Sequence, residues 1–491
     1  MSEDQGVQPD GTTHGPDAKP IPQRSLKQLA IRGSMWTFVG YGVSHVLRLG
    51  GNLILTRLLF PEAFGIMALV NVFLSGLVMF SDLGLAPSIV QNPRGEEPEF
   101  LRTAWTIQVI RGAILWIGAL AVSLPAASFY DEPALARFLP VAGFNLLVSS
   151  LESTSFLLLQ RHLNVVVQTV FGIGLQLFTL CVTTLGALIW RARIELDNLE
   201  WAFCTLMQGL PFSGDLGDRS YLWGGIWALI LGTLAGRILH MLVTHCLPGP
   251  RMGFLFRKEY AHELIHFGKW IFLASILGFF VNFLDRPVLA KFMDPAQLGV
   301  YSIGMAIPFS MLAVLRGVAS RVLFPVYSEL VRERPERLKS RMLRARLILA
   351  GVTLPPLWGM VILGPEIADF LYDDRYAEAG VFMQLLAVSV IFSSLVTPVV
   401  NVLLSAGDSF RHFLLLLSRS VLFLAAIALG GYLYGTYGIV LGIVIAPALN
   451  YPFLVALTRK YGVWEPLFDA TCAGISVCVI FLGLWVKYSI I

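Results

Sequence analysis

Residues 52–67 read NLILTRLLFPEAFGIM, and residues 286–301, displaced by a constant 234 positions, read RPVLAKFMDPAQLGVY. At that offset Trp36 falls on Trp270, Leu55 on Leu289, Arg57 on Lys291, Pro61 on Pro295 and Gly65 on Gly299. Each copy is the end of an apolar helix, a cation, a proline-bearing tight turn and a glycine opening the next helix. Six predicted helices, an even number, separate the copies, so the two share an orientation. That arrangement is a parallel repeat about an axis along the membrane normal.

The membrane follows from composition. The chain has 491 residues, is 56% hydrophobic and only 14% charged, with a mean hydropathy of +0.71, outside the range of soluble globular proteins. Apolar runs long enough to cross a bilayer, about 20 residues each, recur along almost all of it. They predict helices near 34–58, 64–90, 103–128, 134–158, 164–190, 223–247, 270–290, 298–325, 347–370, 380–405, 412–433, 438–457 and 467–490. The expected fold is an all-α polytopic membrane protein with two parallel-repeat six-helix bundles, 34–247 and 270–457, around a central cleft. A cytoplasmic linker and interfacial helix at 248–269 joins them, and 458–491 supplies one additional transmembrane helix.

Residues 1–33 are polar and lack an apolar signal core, which reads as a disordered cytoplasmic arm without a cleaved signal peptide. Lys and Arg resist translocation, so the basic loop VYSELVRERPERLKSRMLRAR at 326–346, with seven of them, is placed inside, and the N-terminus with it. Residues 191–222 form a long outside insertion, read as a tolerated surface loop. The five cysteines show no C-x-x-C pair and receive no role.

An arginine at mid-bilayer costs about 2.5–3.5 kcal/mol, so each one inside a span needs a partner or a wet cavity. Arg48, Arg111, Arg237, Arg286, Arg316, Arg321 and Arg419 are so placed, against the acids Asp82, Glu152, Asp285 and Glu366. The surplus is positive. Arg48 and Arg286 lie on repeat-related helices one turn apart, since Arg48 maps onto Asn282. Arg111, Arg321 and Arg419, nearer the cytoplasmic ends, are read as snorkelling. Arg48, Arg237, Arg286 and Arg316 are the expected substrate-binding set. Guanidinium groups that stay charged and bind phosphate in bidentate fashion point to an anionic substrate. Asp82 and Asp285 are candidates for coupling transport to a proton or sodium gradient, or simply counter-charges for the arginines.

One motif points elsewhere. HELIH at 262–266 matches the zinc-protease pattern H-E-x-x-H, but a catalytic zinc needs a third protein ligand. The nearest downstream carboxylate, Asp285, lies roughly 28 Å along the same predicted helix at about 1.5 Å per residue. The stretch EYAHELIHFGKW reads instead as an amphipathic lead-in to the seventh span. No metal site and no cofactor are expected, and no P-loop, G-x-S-x-G or dinucleotide fingerprint supports enzyme chemistry.

Five stretches carry a resemblance in order and spacing. They are RGSMWTFVGYGVSHVLRLGGNLILTRLLFPEAFGIMAL, FSDLGLAPSIVQ, NFLDRPVLAKFMDPAQLGVYSIG, FPVYSEL before the basic loop, and ILGPEIADFLYDDRYAEAG. Over about residues 26–460 the chain resembles the polysaccharide transporter family of the multidrug/oligosaccharidyl-lipid/polysaccharide flippase superfamily, in particular its lipopolysaccharide and exopolysaccharide oligosaccharide flippases. The resemblance implies a V-shaped pair of bundles in the bacterial cytoplasmic membrane, moving undecaprenyl-diphosphate-linked oligosaccharide by alternating access without ATP hydrolysis. Its implied partners are the lipid-linked oligosaccharide, membrane lipids, and polysaccharide polymerase and glycosyltransferases, with no nucleic acid. Members usually carry twelve or fourteen helices, so thirteen is a departure, as is the 191–222 insertion. A peptidoglycan lipid-precursor flippase and a multidrug exporter share this superfamily. A membrane polysaccharide polymerase or ligase is the alternative of another class.

Overall fold

The computed structural model describes residues 23–161, 165–195, 220–247, 249, 250 and 252–490. Most of the expected arm (1–33) and of the insertion (191–222) lies outside these residues. Those described are helical and contain no strand. The first half holds α1 (Gln23–Leu58), α2 (Pro61–Met79), α3 (Leu85–Gln91), α4 (Pro98–Tyr130), α5 (Ala134–Ser150), α6 (Ser155–Arg161), α7 (Val165–Glu195) and α8 (Ser220–Cys246). The second half begins with α9 (Lys258–Phe283), α10 (Asp285–Leu289), α11 (Pro295–Val318) and α12 (Phe324–Glu333). It continues through α13 (Leu338–Leu371), α14 (Ala379–Ser405), α15 (Ser409–Leu449), α16 (Tyr451–Thr458) and α17 (Pro466–Ile490).

Among the described residues nine helices are long and apolar enough to cross a membrane, or ten with the bent pair Lys258–His266 and Ile271–Phe283 taken as one span. Their outward faces carry large apolar side chains, as Ile110, Ile114, Ile117 and Leu124 do on α4. In a polytopic protein lipid takes the place that water has around a soluble one. One long segment, Ser409–Tyr461, is folded rather than straight. Tyr434 (φ −137°, ψ 15°) and Gly435 (φ 60°, ψ −137°) reverse the chain. Gly430 and Gly438 then meet so closely that a Cβ on either would stand about 2 Å from the other's carbonyl oxygen (2.0 and 1.9 Å). The reversal falls between the two spans read from sequence at 412–433 and 438–457.

The repeated segments pack against each other. A Cβ on Gly65 would lie 1.8 Å from Pro295 O, and one on Gly299 would lie 1.8 Å from Pro61 O. Such reciprocity, residue i on j and j on i, is the property of a two-fold contact. The glycines allow α2 and α11 to cross backbone to backbone. Around this crossing a continuous apolar core draws Ile66 and Val70 from α2, Leu135 and Phe138 from α5, Tyr301 from α11 and Phe382 from α14. Polar contacts join the halves at the same end. Tyr130 Oη donates to Pro287 O (3.1 Å), Tyr376 Oη to Leu59 O (3.1 Å), and Lys291 pairs with Asp131 (3.7 Å).

The opposite end carries the basic loop, and there the halves meet through α9. Arg94 pairs with Glu259 (2.8 Å) and Glu263, Asn92 donates to Glu263 (2.7 Å), and Tyr260 Oη donates to Glu97 (2.8 Å). Glu97 pushes the Tyr260 hydroxyl above its ordinary pKa. Glu263, the central acid of HELIH, is thus held by Asn92 and Arg94. His262 and His266 are exposed, and the described residues contain no group of three or more potential metal ligands.

Spans predicted as single rods are interrupted near this basic end. The 64–90 prediction divides at Phe80–Gly84, where Gly84 takes φ 60°. The 134–158 prediction divides at Leu151–Thr154, and the 298–325 prediction passes through a π-turn at Ala319–Leu323. The last helix, α17, is fixed along its length on α13. Arg346 pairs with Asp469, Trp358 Nε1 donates to Ser476 Oγ (3.0 Å), and Lys487 pairs with Glu366 (2.7 Å).

Candidate substrate site

A cavity of about 240 Å³ opens among the helices of the second half. Arg316, in the last turn of α11, and Arg419, on the first arm of α15, supply its charge. Ser393, Thr397 and Asn401 from α14 and Asn450 at the α15–α16 junction supply neutral polar groups, and among the described residues no carboxylate lines it. The two guanidinium groups lie within each other's field. Arg316 Nη1 donates to Asn282 Oδ1 (3.3 Å), a neutral acceptor that leaves the charge uncompensated. Two like charges in a low-dielectric wall repel and lose hydration. An anion entering the cavity would relieve both costs.

The other expected site residues lie apart from this cavity. Arg48 is exposed on α1. Arg237 on α8 pairs with Glu152 (3.4 Å). Arg286 directs Nη2 at Met305 Sδ (3.1 Å). Asp82, in the α2–α3 break, accepts from Ser275 Oγ (2.8 Å) and Gly84 N (3.0 Å), so it ties the first half to α9. Asp285 is 5% exposed and accepts from Tyr301 Oη (2.8 Å), while its Oδ1 has no partner.

The structure therefore brings Arg316 together with Arg419 rather than with Arg48, Arg237 or Arg286. Its place near a span end makes Arg419 read as snorkelling, whereas in the structure it lines the cavity. The available signal was a lone arginine in FLLLLSRSVLF with no acid within two turns. Arg111, read the same way, turns inward to the α2–α3 break, with Nη2 donating to Val78 O (2.7 Å) and Nε to Ser81 Oγ (3.0 Å).

Residues 54–193 and 219–381 match the family described as polysaccharide biosynthesis protein, more than half of the chain. The protein belongs to that family. Similar to it is the lipopolysaccharide biosynthesis protein WzxC of Escherichia coli (strain K12), 21% identical over 90% of this chain and 86% of that protein. The succinoglycan biosynthesis transport protein ExoT of Rhizobium meliloti (strain 1021) is 21% identical over 77% of this chain and 69% of its own. Among solved structures, the lipid II flippase MurJ in an inward closed conformation superposes with a TM-score of 0.63 at 13% identity, covering 94% of this chain and 99% of that one. This last likeness concerns the fold. Within the polysaccharide biosynthesis family, then, this member is a multi-pass helical protein whose second half holds a carboxylate-free arginine cavity.

Proposed function

We propose that this protein is an oligosaccharide flippase, carrying an undecaprenyl-diphosphate-linked precursor of a surface polysaccharide across the bacterial cytoplasmic membrane by alternating access. The observation that carries the reading is the pair Arg316 and Arg419, two permanent cations on one membrane cavity without a counter-charge. A diphosphate supplies that counter-charge and accepts forked hydrogen bonds from both groups. The names of the relatives, WzxC and ExoT, support the polysaccharide side of the assignment and a transport role rather than an enzyme's. A multidrug exporter of cations would place acids where this cavity places arginines.

In this reading the basic end, with the N-terminus, faces the cytoplasm, and the two halves act as six-helix bundles hinged around the cleft. Packing across the Gly65–Gly299 crossing closes the outer end. Arg48, Arg237 and Arg286 lie on helices that offer further cations along the path, and Asp285, buried with one bare oxygen, is the better of the two coupling candidates. Asp82 serves as a latch to α9. The test is a deletion strain. Lipid-linked oligosaccharide should accumulate on the inner leaflet and surface polysaccharide should fall, with Arg316→Ala and Arg419→Ala reproducing part of the defect. Unchanged polysaccharide and unchanged lipid-linked intermediates in the deletion strain overturn the proposal.

A further inference from the structure

The span formed by α5 and α6 is unwound at Leu151–Thr154, after 17 residues of α5, about 25 Å at 1.5 Å per residue. Side chains from neighbouring helices satisfy the freed backbone. Gln108 Nε2 donates to Ser150 O (2.9 Å) and Glu152 O (3.2 Å), Trp105 Nε1 to Leu151 O (3.4 Å), and Ser153 N to Thr244 Oγ1 (3.2 Å). Irregular backbone at membrane depth persists where such partners exist.

The break delivers Glu152 to α8. Its Oε1 lies 3.4 Å from Arg237 Nη1 and 2.8 Å from His240 Nδ1. That nitrogen is in charge-pairing range without hydrogen-bond alignment, and it has no other partner. His240 is 9% exposed and enclosed by two rings, Phe156 edge-on and Phe171 stacked, each at 5.2 Å. Arg237, by contrast, has a side chain 52% exposed.

One carboxylate therefore faces an arginine, which keeps its charge, and a histidine, the side-chain type that serves as a switch near neutral pH. Around it α4 presents the neutral Gln108 and Trp105, α6 presents Phe156, α7 presents Phe171, and α8 presents Thr244. Among the described residues Arg237 and His240 are the charged or titratable groups within ion-pairing distance of Glu152. With the imidazole neutral, Arg237 alone balances Glu152. Once His240 takes up a proton, the enclosed imidazolium balances Glu152 through a low-dielectric contact, and the exposed guanidinium becomes available to an anion. We propose that Glu152, His240 and Arg237 form a proton site that couples proton uptake to anion binding by the first half. By linkage the coupling is reciprocal, so a bound anion favours the proton. Taking that anion to be the substrate's diphosphate rests on the flippase reading.

The test is inorganic diphosphate binding to the full-length chain in detergent at about pH 5.5 and about pH 8. Comparing proteins at the same pH removes the probe's own titration. At the lower pH the wild type should bind about three- to tenfold more tightly than His240→Gln, and at the higher pH the two should be equal. Glu152→Gln should bind more tightly than wild type at the higher pH and match it at the lower, and Arg237→Ala should lose the low-pH gain. Arg237 is exposed, so its variant keeps the test open if a substitution in the enclosed pair fails to fold. Equal affinities of wild type, His240→Gln and Arg237→Ala at both values overturn the proton site, and leave the flippase reading standing if Arg316→Ala or Arg419→Ala still weakens binding. No diphosphate binding by any form overturns both.

Discussion

Arg346, buried, and Arg419, half-buried on a cavity wall, are both arginines of the second half, and their surroundings are opposite. The side chain of Arg346 is 2% exposed, paired with Asp469, 4.4 Å over the Phe468 ring, and hydrogen-bonded through Nη2 to Leu395 O (3.2 Å). Asp469 is further held by Tyr451 Oη (2.6 Å). Arg419 shares its cavity with a second arginine and no acid. A charge that fastens one helix to another comes with its counter-charge in the chain. A charge without one in the chain is, in the reading proposed above, left for a ligand to balance.

Four measurements break or sharpen this contrast. The largest effect is expected from Asp469→Ala, which leaves Arg346 enclosed and unpaired and should cost about 3–5 kcal/mol in denaturation of the detergent-solubilised protein. A loss below about 1 kcal/mol, the range of exposed pairs, would mean that the α13–α17 contact does not depend on the ion pair. Arg419→Leu should do the reverse. Stability is kept or raised because a repulsion is removed, while diphosphate affinity falls about ten- to a hundredfold, the worth of charged hydrogen bonds of about 1.5–3 kcal/mol. Lost stability with unchanged binding would make Arg419 a structural residue like Arg346.

The contact between the repeats gives a third measurement. Gly65→Ala and Gly299→Ala should each disfavour the closed packing of α2 on α11 by about 1–3 kcal/mol. They should do so equally, as read by cysteine labelling at that end. Clearly unequal effects would confine the two-fold relation to the sequence. The smallest effect belongs to a half-buried cluster at the basic end. Asp408 accepts from Tyr461 Oη (2.8 Å) and caps α15 through Arg411 N (3.1 Å). These bonds, the tyrosine's first, hold its carboxyl below the usual carboxylate range. A depressed carboxylate contributes stability above its unfolded value and loses it as pH falls through the folded one. Asp408→Asn should therefore lower the Tm slightly at neutral pH, with the difference shrinking in acid. A difference independent of pH would remove the charge from the explanation.

The breaks at Phe80–Gly84 and Leu151–Thr154 escaped the hydropathy reading for a physical reason. A helix whose freed carbonyls are capped by Arg111 or Gln108 from another span is as apolar, residue by residue, as an unbroken one. The hairpin in α15 was legible because Gly435 and its neighbours in GGYLYGTYG interrupt the apolar run. The inward turn of Arg419 is not legible from sequence, because depth estimated from a span end says nothing about which way a side chain faces.

By itself the sequence determined that this is a membrane protein, that its helix–turn–helix unit is duplicated, and that positive charge exceeds negative within the spans. These are properties of composition and of matched local patterns. Which arginine is neutralised and which stays open was decided only by tertiary structure. Asp469 is 123 residues from Arg346 and Glu152 is 85 from Arg237. No periodicity along the chain encodes pairs formed at that separation; packing between helices does.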